Sequence, residues 1–141
     1  MKDENIKAVV DCSYLMEAFK SPKSEKFNWL FDSKNRDSFC FAFPNLLHYG
    51  IGNVMLSKCK KNVFGIASAK ESLSFLNFAH EMPVDFTKVF DLAQKHALTF
   101  YDASYLQLAI DLKLPLATYD QQLIEAAKAE KVKLVKDCLE S

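Results

Sequence analysis

Short apolar runs alternate with amphipathic stretches along most of this chain. Residues 6–10 (IKAVV) are apolar and β-branched, and predict a first buried strand. The run ends at Asp11, and Ser13 opens a short helix, SYLMEAF. Residues 21–24 (SPKS) read as a turn. Residues 25–33 (EKFNWLFDS) predict a second helix, crowded by Phe27, Trp29, Leu30 and Phe31. Residues 38–43 (SFCFAF) alternate aromatic and small side chains as a strand does. Pro44 then suits the first position of a helix, PNLLHYGIGNVMLSKC, with Leu46, Leu47, Ile51, Val54 and Met55 on its apolar face. Residues 66–82 predict another amphipathic helix, residues 83–86 (PVDF) a short edge strand, and residues 87–97 (TKVFDLAQKHA) a further helix.

The remaining elements are organised around residues 98–134, which read as helix, short buried strand, helix and final strand. Ala103, Tyr105, Leu106, Leu108, Ala109, Ile110 and Leu112 make a helix that is apolar nearly all round, and so packed on both sides. Pro115-Leu-Ala-Thr118 suits a central strand. Strands alternating with helices predict a single α/β domain: three layers, α/β/α, around a doubly wound parallel sheet of four to five strands. Ligands of such sheets bind outside the carboxyl ends of the strands, where the strand order reverses. Asp11 ends the first strand, Asp120 lies two residues past Thr118, and Asp102 starts the intervening helix. All three are therefore expected on one edge.

Composition narrows the partners. Lys plus Arg and Asp plus Glu balance at 18 each, so any nucleic-acid site must be local. Lys58, Lys60 and Lys61 end one helix and suit its negative pole; contact with an RNA backbone is the other reading. Cys12, Cys40, Cys59 and Cys138 show no C-x-x-C spacing and read as free thiols of a reducing, cytoplasmic setting. His48, His80 and His96 show no zinc-ligand spacing. The first ten residues lack the pattern of a signal peptide, and no apolar run is long enough to span a membrane.

Each aspartate has a plain structural reading. Thr118-Tyr-Asp-Gln121 fits a capping box with Thr118 as the cap, and Thr99-Phe-Tyr-Asp102 fits its acidic version. Three carboxylates on one edge, however, repel and stay ionised together only beside a cation. Oxygen-only ligands select Mg²⁺ or Mn²⁺ over zinc, and such an ion suits phosphodiester hydrolysis. Ser13, Ser104 and Thr118 are the hydroxyls near these acids that could assist; helix caps or ordinary surface hydroxyls are the alternative. A phosphoacceptor domain would want an acidic pair after the first strand, and VVDCS supplies one acid.

Three segments, VVDCSYLMEAF, PNLLHYGIGNVM and YDASYLQLAIDLKLPLATYDQQL, together resemble the PIN-domain ribonucleases, and among them the VapC-type toxins of toxin–antitoxin pairs. The resemblance implies a PIN-like fold, Mg²⁺- or Mn²⁺-dependent cleavage of RNA, a homodimer, and inhibition by a small antitoxin. It maps acidic site positions onto Asp11, Asp102 and Asp120. A further acidic position of that family, a Glu in the helix after the second strand, falls on Gly50. That implies a weakened site, a fold that binds antitoxin or RNA without catalysis, or a substitution that disarms a toxin. Gly50 and Gly52 each cost their helix about 1 kcal/mol relative to Ala. Phe27, Trp29 and Phe31 read either as core or, following the resemblance, as a groove for the antitoxin.

Overall fold

The computed structural model describes residues 6–20, 25, 41–76 and 80–135. Four strands, β1 (Ala8–Val10), β2 (Phe41–Pro44), β3 (His80–Met82) and β4 (Leu116–Ala117), form one all-parallel sheet in the order β3-β2-β1-β4. The chain lays strands outward from β1 to β3 and then returns to the other side of β1. The order thus reverses between β1 and β4. Every residue of β1 and β4 is fully buried, as apolar strands covered on both faces require.

Among the described residues six helices flank or lead from the sheet: α1 (Cys12–Lys20), α2 (Leu47–Lys60), α3 (Ile66–Phe75), α4 (Phe86–His96), α5 (Phe100–Leu112) and α6 (Gln121–Ala129). Helix α5 is the central one. It packs against β1, β2 and β4 and also against α4 and α6. Ala103 to Ala109 are buried without a break, which explains why this helix shows no polar face. Its ends are cut by Thr99, whose hydroxyl accepts from the Asp102 amide, and by Lys113 in the left-handed conformation. Glu130, at the end of α6, meets Lys95 at 2.8 Å and His96 at 2.6 Å, tying α6 to the last turn of α4.

Several boundaries differ from the sequence expectation. Pro44 closes β2 and does not open a helix; α2 starts three residues later. Among the described residues of β2, β1 pairs with Phe41 and Ala42 and stops short of Pro44, whose missing amide is thus not called on from that side. The expected helix over residues 66–82 stops at Phe75, and its last three residues instead form β3. The edge strand therefore precedes Pro83. Asp85, expected within that strand, is the cap of α4 and accepts from the amides of Thr87 and Lys88. The final strand is reduced to one parallel bridge, Leu116 to Leu134. The turn at 21–24, nearly all of the helix at 25–33 and the strand start at 38–40 lie outside the described residues, as do Cys40 and Cys138. No helix among the described residues is long and apolar enough to cross a membrane.

The two glycines of α2 have opposite surroundings. A Cβ on Gly52 would meet nothing within 4 Å. A Cβ on Gly50 would overlap the Tyr101 hydroxyl and lie 2.6 Å from Tyr101 Cζ. Gly50 is thus where α2 lets an α5 side chain lie against its backbone. Gly52→Ala should raise the unfolding free energy by about 1 kcal/mol. Gly50→Ala should lower it by about 1–3 kcal/mol as the tyrosine is forced aside. Urea denaturation of the two variants checks the difference in sign.

Candidate functional site

The site grows from the point where the strand order reverses. Asp11 directly follows β1 and is 5% exposed. Its amide donates to Ala117 O of β4 at 3.1 Å, and its carboxylate caps α1 by accepting from the Tyr14 amide at 3.0 Å. The same Oδ1 accepts from Ser13 Oγ at 2.7 Å, and Oδ2 accepts from Thr118 Oγ1. Ser13 Oγ in turn accepts from the Tyr119 amide at 3.0 Å, and Thr118 Oγ1 from the Asp120 amide at 3.0 Å. Tyr14 and Tyr119 stack with ring centroids 5.3 Å apart. One polar network therefore laces the start of α1 to the approach to α6.

The cap of α6 is Asp120 itself, accepting from the Leu123 amide at 3.2 Å. Thr118 was the expected cap. Its hydroxyl is drawn instead to Asp11, and Gln121 reaches forward to Glu125 at 2.9 Å. Asp102 sits in the first turn of α5, half-buried, as the Thr99 capping box predicts.

The charges of the three acids are linked in a chain. Burial pushes the Asp11 carboxyl from its ordinary 3.8 to about 6; the bonds from Thr118, Tyr14 and Ser13 oppose this, and the charge of Asp102 adds to it. Burial also raises Asp102, with the charge of Asp120 beside it contributing further. No cation relieves them: among the described residues no ion pair involves Asp11, Asp102 or Asp120. Cys12 is half-buried next to Asp11, and burial with that charge pushes its thiol up to about 12. It is therefore no thiolate ligand or nucleophile at neutral pH.

Not every candidate joins this edge. Ser104 is fully buried and donates to Tyr101 O at 2.5 Å, so its hydroxyl is engaged within its own helix. Phe27, Trp29 and Phe31 lie outside the described residues. Two hydroxyls were missed by the sequence reading. Tyr101 Oη covers Gly50, accepts from Tyr105 Oη at 2.9 Å, and feels the charges of Asp11 and Asp102. Its place beside Asp102, with a second tyrosine four residues on, was the available signal.

Among the described residues no three His, Cys, Asp or Glu side chains close tightly enough to enclose a metal ion by themselves. The oxygen-only chemistry of Asp11, Asp102 and Asp120 is of the kind that hard divalent cations take. The three side chains offer carboxylate oxygens only, in an uncompensated negative patch, and Mg²⁺ keeps several waters and commonly takes only one or two carboxylates.

No family model matches this chain, and no curated protein matches it. Among solved structures it is similar to the crystal structure of PAE2754 from Pyrobaculum aerophilum. The TM-score is 0.74 at 25% identity, over 96% of this chain and 88% of that one.

The raised Asp11 value has a signed consequence. Between about 4 and about 6 the folded chain holds the Asp11 proton that the unfolded chain has released, so stability falls as pH rises through that window and then levels. The full effect is about 3 kcal/mol at most. In chelator-treated protein, denaturant midpoints of the parent should therefore drop relative to those of Asp11→Asn from pH 4 to pH 6.5. Parallel profiles would mean that Asp11 ionises freely in the fold.

Proposed function

We propose that this chain is a Mg²⁺- or Mn²⁺-dependent endoribonuclease of the PIN-domain, VapC-like kind. The observation that carries the reading is the run of mutually repelling carboxylates, Asp11, Asp102 and Asp120, at the sheet's reversal point with no counter-ion among the described residues. Asp11, Asp102 and Asp120 are the residues that would hold the ion. When bound, the ion would orient and acidify a water and offset charge on a phosphodiester. The chain's own residues do the rest. Asp11 forms the buried floor, held in one rotamer by Ser13, Thr118 and the Tyr14 amide. Asp102 and Asp120 are partly exposed and face the incoming RNA, with Asp120 steadied by its bond to the Leu123 amide.

A homodimer and a small antitoxin belong to the same proposal. Tyr49 and Leu56 of α2, 78% and 63% exposed, are apolar side chains that a second copy would cover. A second reading, a binding module with an impaired centre, is favoured by one observation: the Tyr101 ring occupies the space over Gly50, so no fourth carboxylate stands there.

The two readings separate in one assay. Purified protein with single-stranded RNA and Mn²⁺ should give cleavage that EDTA stops and that Asp11→Asn lowers at least 100-fold. This is the upper end of what losing even an outer partner of a metal site costs, about 10–100-fold. RNA binding with no metal-dependent cleavage selects the binding module. Cleavage indifferent to both EDTA and Asp11→Asn sinks the assignment of this site.

A further inference from the structure

Where α2 and α5 meet, the Tyr101 hydroxyl has two unequal hydrogen bonds. Its oxygen accepts from Tyr105 Oη at 2.9 Å, while its own O–H reaches Leu46 O only at 3.5 Å. An O–H···O bond is normally near 2.7–2.8 Å, so the donating side is slack. The ring is fixed edge-on against Tyr105, with centroids 5.4 Å apart, and lies flush over the bare Cα of Gly50. The hydroxyl is close enough to Asp11 and Asp102 to feel both charges. Among the described residues no lysine or histidine is among the groups that act on either acid. An anion entering beside these carboxylates thus meets a neutral donor whose proton is poorly engaged and whose oxygen is already polarised by a second phenol.

We propose that the Tyr101 hydroxyl is the substrate-positioning donor of this site: it swings from Leu46 O to a non-bridging phosphate oxygen of single-stranded RNA. Tyr105 and the missing side chain at Gly50 hold it in place. The proposal rests on the ribonuclease reading above and adds a residue that the acids alone do not supply. A donor is needed because three carboxylates repel a phosphodiester, and a bond to a charged acceptor is about twice as strong as a neutral one. As a filler of the space above Gly50, Tyr101 would need its ring but not its hydroxyl.

Tyr101→Phe separates the two roles, since it keeps the ring over Gly50 and removes only the O–H. Affinity for a fluorescent single-stranded RNA is read by anisotropy in Ca²⁺, cleavage of the same RNA in Mn²⁺, and Mn²⁺ affinity by the electron spin resonance signal of the free ion. Tyr101→Phe should weaken RNA binding about tenfold, with cleavage falling at least as far. Mn²⁺ affinity should stay at the parent value, and the urea midpoint should fall only by what orphaning the buried Tyr105 hydroxyl costs. Tyr105→Phe should weaken RNA binding in the same direction by less. Unchanged RNA affinity in Tyr101→Phe overturns the proposal. So does a weakening matched by a loss of Mn²⁺ affinity, which would make the hydroxyl a part of the metal site's scaffold. If the parent binds RNA without Mn²⁺-dependent cleavage, the nuclease reading fails while the binding measurement still decides Tyr101. If the parent binds no RNA, both fail.

Discussion

A single buried carboxylate holds the working edge of this fold together. Asp11 accepts from a backbone amide and two hydroxyls, and one of those hydroxyls comes from 107 residues further along the chain. An ion taken out of water without such partners costs several kcal/mol, so the donors are a condition of its being there. They also set the geometry. Ser13 and Thr118 each accept an amide from the approach to α6 while donating to Asp11, so the crossovers on either side of the reversal point are fixed by one set of bonds. The two strand ends cannot slide past each other without orphaning a buried charge.

The same residues that cap helices also concentrate charge. Asp11 and Asp120 are both helix caps, and Asp102 lies in a capped first turn. The structural role and the proposed chemical role are therefore not rivals. Capping fixes where each carboxylate points, and the parallel sheet brings the capped ends to one side. What the local bonds leave unmet is the repulsion between neighbours, visible in the raised values of Asp11 and Asp102. That residue of unfavourable charge is what a bound cation would remove.

The legible parts of the sequence were those in which one local rule acts alone. Residues 98–120 announced α5, β4 and α6 because an apolar run, a Thr cap and a Pro boundary agree there. Local rules failed where a distant partner decided. The 66–82 segment keeps helical spacing throughout, yet His80–Met82 is claimed by pairing with β2. Pro44 satisfies the rule for a helix start but sits in a strand, because β1 is too short to ask for its amide. Thr118 satisfies the rule for a helix cap, yet its hydroxyl goes to Asp11. Gly50 was recognisable as a cost to its helix, but its reason is the Tyr101 ring, which no local pattern around residue 50 contains.

Cys12 adjoins the most buried acid of the site, and its own burial, with that charge beside it, sets its reactivity. Peroxide and alkylating agents attack the thiolate, and burial beside Asp11 keeps the thiolate from forming anywhere near neutrality. Reagents that modify exposed, low-pKa cysteines should react with this sulfur far more slowly. Burial first, and the charge of Asp11 second, thus hold the sulfur beside the acidic edge in its unreactive thiol form.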